Sequence, residues 1–288
     1  MSTGIVQKTD LPNAAFAGAW ERIKTDPHLK ERLVAQALMA MSVRQQLPFE
    51  AAPLHGLILL EGPPGTGKTS LARGLANELS KHLPPGKSRF VQVDPHALAS
   101  SSLGRSQQAV TKLFESTLPE VAHGGIAIVL LDELETLAAS RAKLSMDANP
   151  IDVHRATDAV LAGMDLLTRN HNNVLMVATT NFPEALDTAV VSRADFIAHI
   201  GLPNLEAREE ILTDMLSGLA KVWKKVAQLQ SAAPELAQAS DGLDGRRLRK
   251  AVLAAAAEDI KVAADLNLLN KAHILAAINA AKKVNYEG

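Results

Sequence analysis

The sequence predicts an α/β fold: a parallel five-stranded sheet flanked by helices, followed by a C-terminal part made only of helices. Three observations predict it. Short, continuous apolar runs alternate with helical stretches between residues 56 and 201, the pattern of strands buried on both faces. A glycine-rich turn joins the first of those runs to the helix after it. Beyond Pro203 no strand pattern returns.

Taken in order, residues 1–19 mix small and polar types without a clear period and are expected to be a flexible lead-in. From Trp20 the pattern turns helical: Leu29, Leu33, Ala37 and Met41 stand at four-residue steps, and Pro48 and Pro53 end the stretch. GLILLEG (56–62) reads as a buried strand, with a helix after it over residues 68–83. FVQVD (90–94), IAIVLLD (126–132), NVLMVATTN (173–181) and FIAHIG (196–201) read as the other strands. Helices over residues 105–118 and 153–168 lie among them. After Pro203, residues 205–219, 246–261 and 271–282 read as helices, with a less regular one near 221–239; Asn270 is placed to cap the last. The expected division is a lead-in over 1–19, an α/β domain over 20–203 and a helical lid over 204–288.

Composition narrows the function classes. The chain has 288 residues, 47% apolar and 21% charged, with a formal net charge of -1. That balance gives no general pull toward nucleic acid or an anionic membrane. There is no cysteine, so disulfides, thiolate metal sites and cysteine nucleophiles are excluded. The start lacks a basic-then-apolar leader pattern and Ile126–Leu131 is too short to cross a bilayer; a cytoplasmic location and no membrane partner are expected. The nine histidines are scattered without metal-ligand spacing. His96 and His154 read as structural or surface histidines.

Gly62, Pro63, Pro64, Gly65, Thr66, Gly67, Lys68 and Thr69 fit G-x-x-x-x-G-K-[ST], and the run lies between a strand and a helix. In such a loop the backbone N–H groups curl around phosphate oxygens and the helix N-terminus adds partial positive charge. Lys68 would neutralise the β- and γ-phosphates of ATP, Thr69 would ligate Mg²⁺, and Ser70 follows in the same first turn. The strand IAIVLLD delivers a second pair of groups, Asp132 and Glu133, at its C-terminal end, the edge where ligands bind in open α/β sheets. Asp132 would hold Mg²⁺ and Glu133 would polarise the attacking water.

These residues resemble the AAA+ ATPases. The resemblance makes Asn181, at the end of VLMVATTN, a first sensor that orients the lytic water. Arg193, in VSRADF (191–196), lies where the family places an arginine finger that reaches the nucleotide of a neighbouring subunit. Where most members carry another arginine a few residues earlier, this chain has Thr188-Ala-Val-Val191, so one finger is expected. Arg246, in DGLDGRRLRK (241–250), resembles the second sensor. Spacing alone does not choose between the pair Arg246 and Arg249 and the pair Arg247 and Lys250; the resemblance picks Arg246.

Two segments, VVSRADFIAHIGLP (190–203) and SDGLDGRRLRK (240–250), are similar to the pachytene-checkpoint branch, the remodelers of HORMA-domain proteins; VDPHALASSSLGRSQQAVTKLFE (93–115) and ELETLAASR (133–141) extend the likeness to residues 55–255. The resemblance implies a homohexamer that uses ATP and Mg²⁺ to engage and open a HORMA protein. In bacteria such ATPases are linked to anti-phage signalling, where the HORMA protein activates a cyclic-oligonucleotide synthase; a short chain suits that kind. The family's substrate-gripping pore loop carries an aromatic–hydrophobic pair, and here the matching residues are Ser102, Leu103 and Gly104. Leu103 is either a grip on substrate backbone or a buried loop leucine. Residues 142–150 are either a second pore loop or a solvated surface loop. A competing reading is an AAA+ loader or helicase on nucleic acid, against which stand the neutral charge and an aromatic content of 3%.

Overall fold

A computed structural model of the chain describes residues 4–99, 105–140 and 150–283. The chain forms two compact units. The first comprises Met1–Glu21, Pro27–Gly62 and Lys68–Ile200, and the second Arg22–Asp26, Pro63–Gly67 and Gly201–Gly288.

In the first unit, strands β1 (Ile5–Asp10), β2 (Leu57–Glu61), β3 (Ser88–Val93), β4 (Ile126–Leu131), β5 (Val174–Thr180) and β6 (Phe196–His199) make one sheet in the order β1-β3-β4-β5-β2-β6. The five predicted strands are all present and all parallel. All seven residues of β5 are buried, as a central strand covered on both faces requires. The covering helices are α1 (Ala14–Arg22), α2 (Pro27–Gln46), α3 (Lys68–Ser80), α4 (Pro95–Ala99), α5 (Arg105–Lys112), α6 (Leu118–Ala122), α7 (Pro150–Asn170) and α8 (Thr188–Val191). A π-helical turn, Leu113–Thr117, joins α5 to α6. Its Phe114 lies so close to Gly163 of α7 that a Cβ there would stand 2.4 Å from the ring. The predicted helix over 105–118 is thus three pieces in line.

The lead-in expected over residues 1–19 is folded where it is described. Ile5–Asp10 pairs antiparallel with β3 and adds a sixth strand at the sheet edge. Asn13 then caps α1, accepting from the N–H groups of Ala15 and Phe16, and its own N–H donates to Asn77 on α3 at 2.7 Å. Phe16 and Trp20 are buried, with Trp20 packed on Gly74 of α3. An edge strand shows one side to solvent, so its residues alternate between half-buried and exposed and carry no continuous apolar run. The helix expected from Trp20 to Met41 is two helices, broken between Arg22 and Pro27.

The second unit contains α9 (Leu205–Ala220), a 3₁₀ stretch Lys224–Ala232, α10 (Ala233–Ala239), α11 (Gly245–Ala254), α12 (Ile260–Ala264) and α13 (Lys271–Lys283). Asn204 caps α9 and Asn270 accepts the His273 N–H at the start of α13. Leu212, Leu216, Leu236, Leu248, Ile274 and Ile278 form its fully buried centre. The long helix predicted over 246–261 is divided among α11, a 3₁₀ turn and α12. Among the described residues no helix is long and apolar enough to cross a membrane.

Candidate active site

Strand β2 leads directly into the glycine-rich loop. Gly62 has φ +142°, and a Cβ there would stand 2.2 Å from the Ile200 carbonyl oxygen. That neighbour is backbone and cannot swing aside, so glycine is required. Lys68 is buried, and its ammonium donates to the Gly62 carbonyl at 2.7 Å. It opens α3, whose free N–H groups carry the positive end of the helix dipole. Within the second unit, Gly65 (φ +84°) lies against Asp244, and Gly67 (φ +96°) lies against Ile23. The Thr66 hydroxyl closes the turn onto the Pro63 carbonyl at 2.9 Å. At each of these three glycines the neighbouring atoms leave no room for a Cβ.

The sheet register places the acidic groups. Leu131 of β4 pairs with Ala178 of β5, so the next residues, Asp132 and Thr179, emerge side by side. The hydroxyls of Thr69 and Thr179 both donate to Asp132 Oδ1, at 2.8 and 2.6 Å. Gln92 donates to Oδ2 at 3.3 Å and is itself held by Arg73 at 2.6 Å. Glu133 is the only non-glycine residue with positive φ among the described residues (φ 53°, ψ 54°). Such a conformation is strained for glutamate and persists only where neighbours hold it. Here the Glu133 N–H donates to the Thr179 hydroxyl at 3.0 Å.

That turn gives Glu133 a separate set of partners. Asn181 Nδ2 lies 3.3 Å from one carboxylate oxygen, and His96 Nε2 lies 3.2 Å from the other. The Asn181 main chain is fixed as well, its N–H donating to Glu135 at 3.0 Å. Lys68, Thr69, Asp132, Glu133 and Asn181 are therefore held within the first unit, the last four through a chain of hydrogen bonds centred on Thr179 and the two carboxylates.

Arg193 is held elsewhere in the same unit. Its Nε and Nη2 donate side by side to the two oxygens of Asp165 on α7, at 2.8 and 2.9 Å, and Nη1 donates to the Ala189 carbonyl at 2.7 Å. The hydrogen bond from Arg193 holds the Asp165 carboxyl below the usual aspartate range, and Asp165 in turn raises Arg193. Two residues on, Asp195 accepts from the N–H groups of His55, Gly56 and Leu57, at 2.8, 2.6 and 3.2 Å. The R-A-D segment thus carries an ion pair and a clamp on the entrance to β2.

In the second unit Asp244 caps α11, accepting from the Arg246 and Arg247 N–H groups at 2.8 and 2.9 Å. The Arg246 side chain is exposed. Arg247 donates to the Ala281 carbonyl, and Arg249 to the carbonyls of Arg22 and Gly245. Of the three arginines, Arg247 and Arg249 are engaged with main chain. Ser102, Leu103 and Gly104 lie outside the described residues, as do 142–149. Thr179, Gln92 and His96 bond to the two carboxylates or the Glu133 main chain, and Asp165 bonds to Arg193; none of the four carries a motif. Their only signal in the sequence is position near strand ends or on a flanking helix.

Fold and site together define a P-loop nucleotide-binding protein. Residues 58–202 match the model of the ATPase family associated with various cellular activities (AAA). The chain is 46% identical over 287 residues to CD-NTase-associated protein 6 of Pseudomonas aeruginosa, covering 99% of this chain and 94% of that protein. The chain belongs to the AAA ATPase family, in the branch of CD-NTase-associated protein 6 and the pachytene checkpoint protein 2 homologs. It is 37% identical over 219 residues to the pachytene checkpoint protein 2 homolog of Oryza sativa subsp. indica, covering 74% of this chain and 46% of that protein; the chain spans about half of that relative's length. The structure of C. elegans PCH-2 superposes with a TM-score of 0.79 at 26% identity, covering 98% of this chain and 78% of that one. A chain of the E. coli MS115-1 HORMA:CdnC:Trip13 complex shares the fold, with a TM-score of 0.74 at 20% identity over 96% of this chain and 95% of that one.

Proposed function

We propose that the chain is an ATP-driven protein remodeler. It binds ATP with Mg²⁺ and hydrolyses it at the subunit interfaces of a cytoplasmic homohexameric ring. The cycle engages and opens a HORMA-domain protein in bacterial anti-phage signalling, including one bound to a cyclic-oligonucleotide synthase. The chemical reading rests on one observation: Thr69, Asp132, Thr179, Glu133 and Asn181 form a continuous hydrogen-bonded set. The substrate reading is supported by the 46% identical relative, which is named for association with a CD-NTase. The fold likeness to a chain of a HORMA:CdnC:Trip13 complex agrees with it.

The residues present fit Mg²⁺. The Thr69 hydroxyl and an Asp132 carboxylate oxygen meet at 2.8 Å, and both are the hard oxygen donors that this ion takes. When bound, the ion neutralises charge on the phosphate oxygens. Lys68 and the main-chain N–H groups of residues 65–69 bind the phosphates. Glu133 accepts the proton of the attacking water, and Asn181, bonded to the same carboxylate, orients that water. Arg193 acts on the nucleotide of the neighbouring subunit, and Arg246 reads the nucleotide state in the lid. Ser102, Leu103 and Gly104 contact the substrate protein.

The test is ATP turnover by the purified chain with and without the HORMA-domain protein encoded beside it. A Glu133→Gln ring serves as a trap. Stimulated turnover and a stable ATP-dependent complex are expected. Basal turnover with neither would remove the HORMA substrate and leave the ATPase. Salt-sensitive binding of DNA or RNA in its place would favour a nucleic-acid loader.

A further inference from the structure

Thr69 and Arg73 stand four residues apart on α3, so they share one face of that helix. They reach the same carboxylate by different routes. The Thr69 hydroxyl bonds Asp132 Oδ1 directly at 2.8 Å. Arg73 reaches Oδ2 through Gln92: its Nη2 donates to the amide oxygen at 2.6 Å, and the amide nitrogen donates to Oδ2 at 3.3 Å. Thr69, Asp132, Gln92 and Arg73 therefore close a ring of hydrogen bonds that starts and ends on α3.

The chemistry of the ring sets its direction. A guanidinium carries only donors, so the side of the Gln92 amide that faces Arg73 must be its oxygen. The NH₂ group is thereby turned toward Asp132, and a carboxylate only accepts. An amide turned the other way would set its oxygen against the carboxylate. Gln92 is 8% exposed and stands on β3 opposite Leu130 of β4, two residues before Asp132. The Arg73 Nε is buried with no hydrogen-bond partner among the described residues. A buried donor without a partner costs stability, so local packing does not account for this arginine. Asp132 Oδ1 accepts from Thr69 and Thr179. A carboxylate held at one oxygen can still turn about its Cβ–Cγ bond; the donor at Oδ2 stops that rotation.

We infer that Gln92 and Arg73 are positioning residues of the Mg²⁺ site, an inference that rests on the reading of Thr69 and Asp132 as its ligands. Gln92 fixes the rotation of the Asp132 carboxylate. Arg73 fixes the Gln92 amide in the donating orientation. The closed ring makes the metal carboxylate move with the helix that begins at Lys68. Partners one bond beyond a metal ligand orient it, and their loss lowers metal affinity or activity about 10- to 100-fold.

The experiment uses the full-length chain and a fluorescent ATP analogue, whose affinity is measured with Mg²⁺ and with EDTA in its place. Turnover is followed against free Mg²⁺ on the same preparations. For Gln92→Leu, affinity in EDTA should equal the parent's, while affinity with Mg²⁺ should fall about 10-fold. The Mg²⁺ needed for half-maximal turnover should rise by about the same factor. Arg73→Met should act the same way to a smaller degree, and Arg73→Lys, which keeps a donor, should restore the parent's Mg²⁺ dependence. The double variant should be no worse than Gln92→Leu, because Arg73 acts through Gln92. A purely structural role predicts an equal loss with Mg²⁺ and with EDTA, or a lower Tm alone. Either result would overturn the inference, as would the parent's Mg²⁺ dependence in both Gln92→Leu and Arg73→Met. If Gln92→Leu does not fold, Arg73→Met and Arg73→Lys decide on the same criteria. Asp132→Asn tests the underlying reading. If the parent gains no affinity from Mg²⁺, or Asp132→Asn keeps the parent's gain, Asp132 is not a Mg²⁺ ligand and the inference falls with that reading.

Discussion

Thr179→Val removes one hydroxyl and keeps the shape of a side chain that is 2% exposed. That hydroxyl donates to Asp132 at 2.6 Å and accepts the Glu133 N–H at 3.0 Å. A hydrogen bond to a charged group contributes about 1.5–3 kcal/mol and a neutral one about 1 kcal/mol. Asp132 keeps Thr69 and Gln92 as donors, so the lower end applies and the cost is about 2–3 kcal/mol. For a unit of this size that corresponds to a fall in Tm of about 4–12 °C. The second effect is on chemistry. The freed N–H belongs to Glu133, the residue in the left-handed conformation, so the carboxylate should lose its fixed direction. Turnover should fall by more than the folded fraction explains. Differential scanning calorimetry without nucleotide measures the first effect and steady-state ATPase assays the second; Thr179→Ser is the control that keeps both. A Thr179→Val protein with Tm within about 1 °C of the parent and unchanged turnover would refute the role given to this hydroxyl.

Two further outcomes follow from the geometry. Gly65→Ala places a Cβ about 2.3 Å from the Asp244 carboxylate at φ +84°, so it should abolish binding of a fluorescent ATP analogue; retained affinity would mean the loop conformation is not required. Acid stability should depend on Arg193. Because Arg193 holds the Asp165 carboxyl below its ordinary value, the pair contributes stability above the unfolded aspartate pKa of about 3.9 and loses it as pH falls through the lower folded value. The stability gap between the parent and Arg193→Ala in urea titrations should therefore be full at pH 7 and shrink in that acid window. A gap that stays constant or widens there would contradict the pairing.

The parts of the site that were legible in the sequence are local. Gly62, Lys68 and Asp132 each end a strand or begin a helix, and short-range pattern marks such places; Asn181 was reached only through the family resemblance. The residues that escaped are neighbours only in space. Thr179 meets Asp132 because parallel strands β4 and β5 are in register, and no spacing along the chain encodes that. Gln92 and His96 reach the carboxylates from the adjacent strand β3 and the helix α4 that follows it. The aspartate of R-A-D reads as part of a motif, yet its work is to cap three N–H groups more than a hundred residues upstream. Ile5–Asp10 gave no signal because an edge strand needs only one apolar side, and the segment is folded by pairing with β3.

The proposed hydrolysis depends most directly on Glu133. In a Glu133→Gln ring the side chain still accepts from Asn181 but no longer takes a proton. Nucleotide retention and turnover should be measured on the same preparation, beside the parent. ATP should be bound with parental affinity and turnover reduced by a factor of about 100 or more. Turnover equal to the parent's, with ATP bound, would contradict this and remove Glu133 from the chemistry.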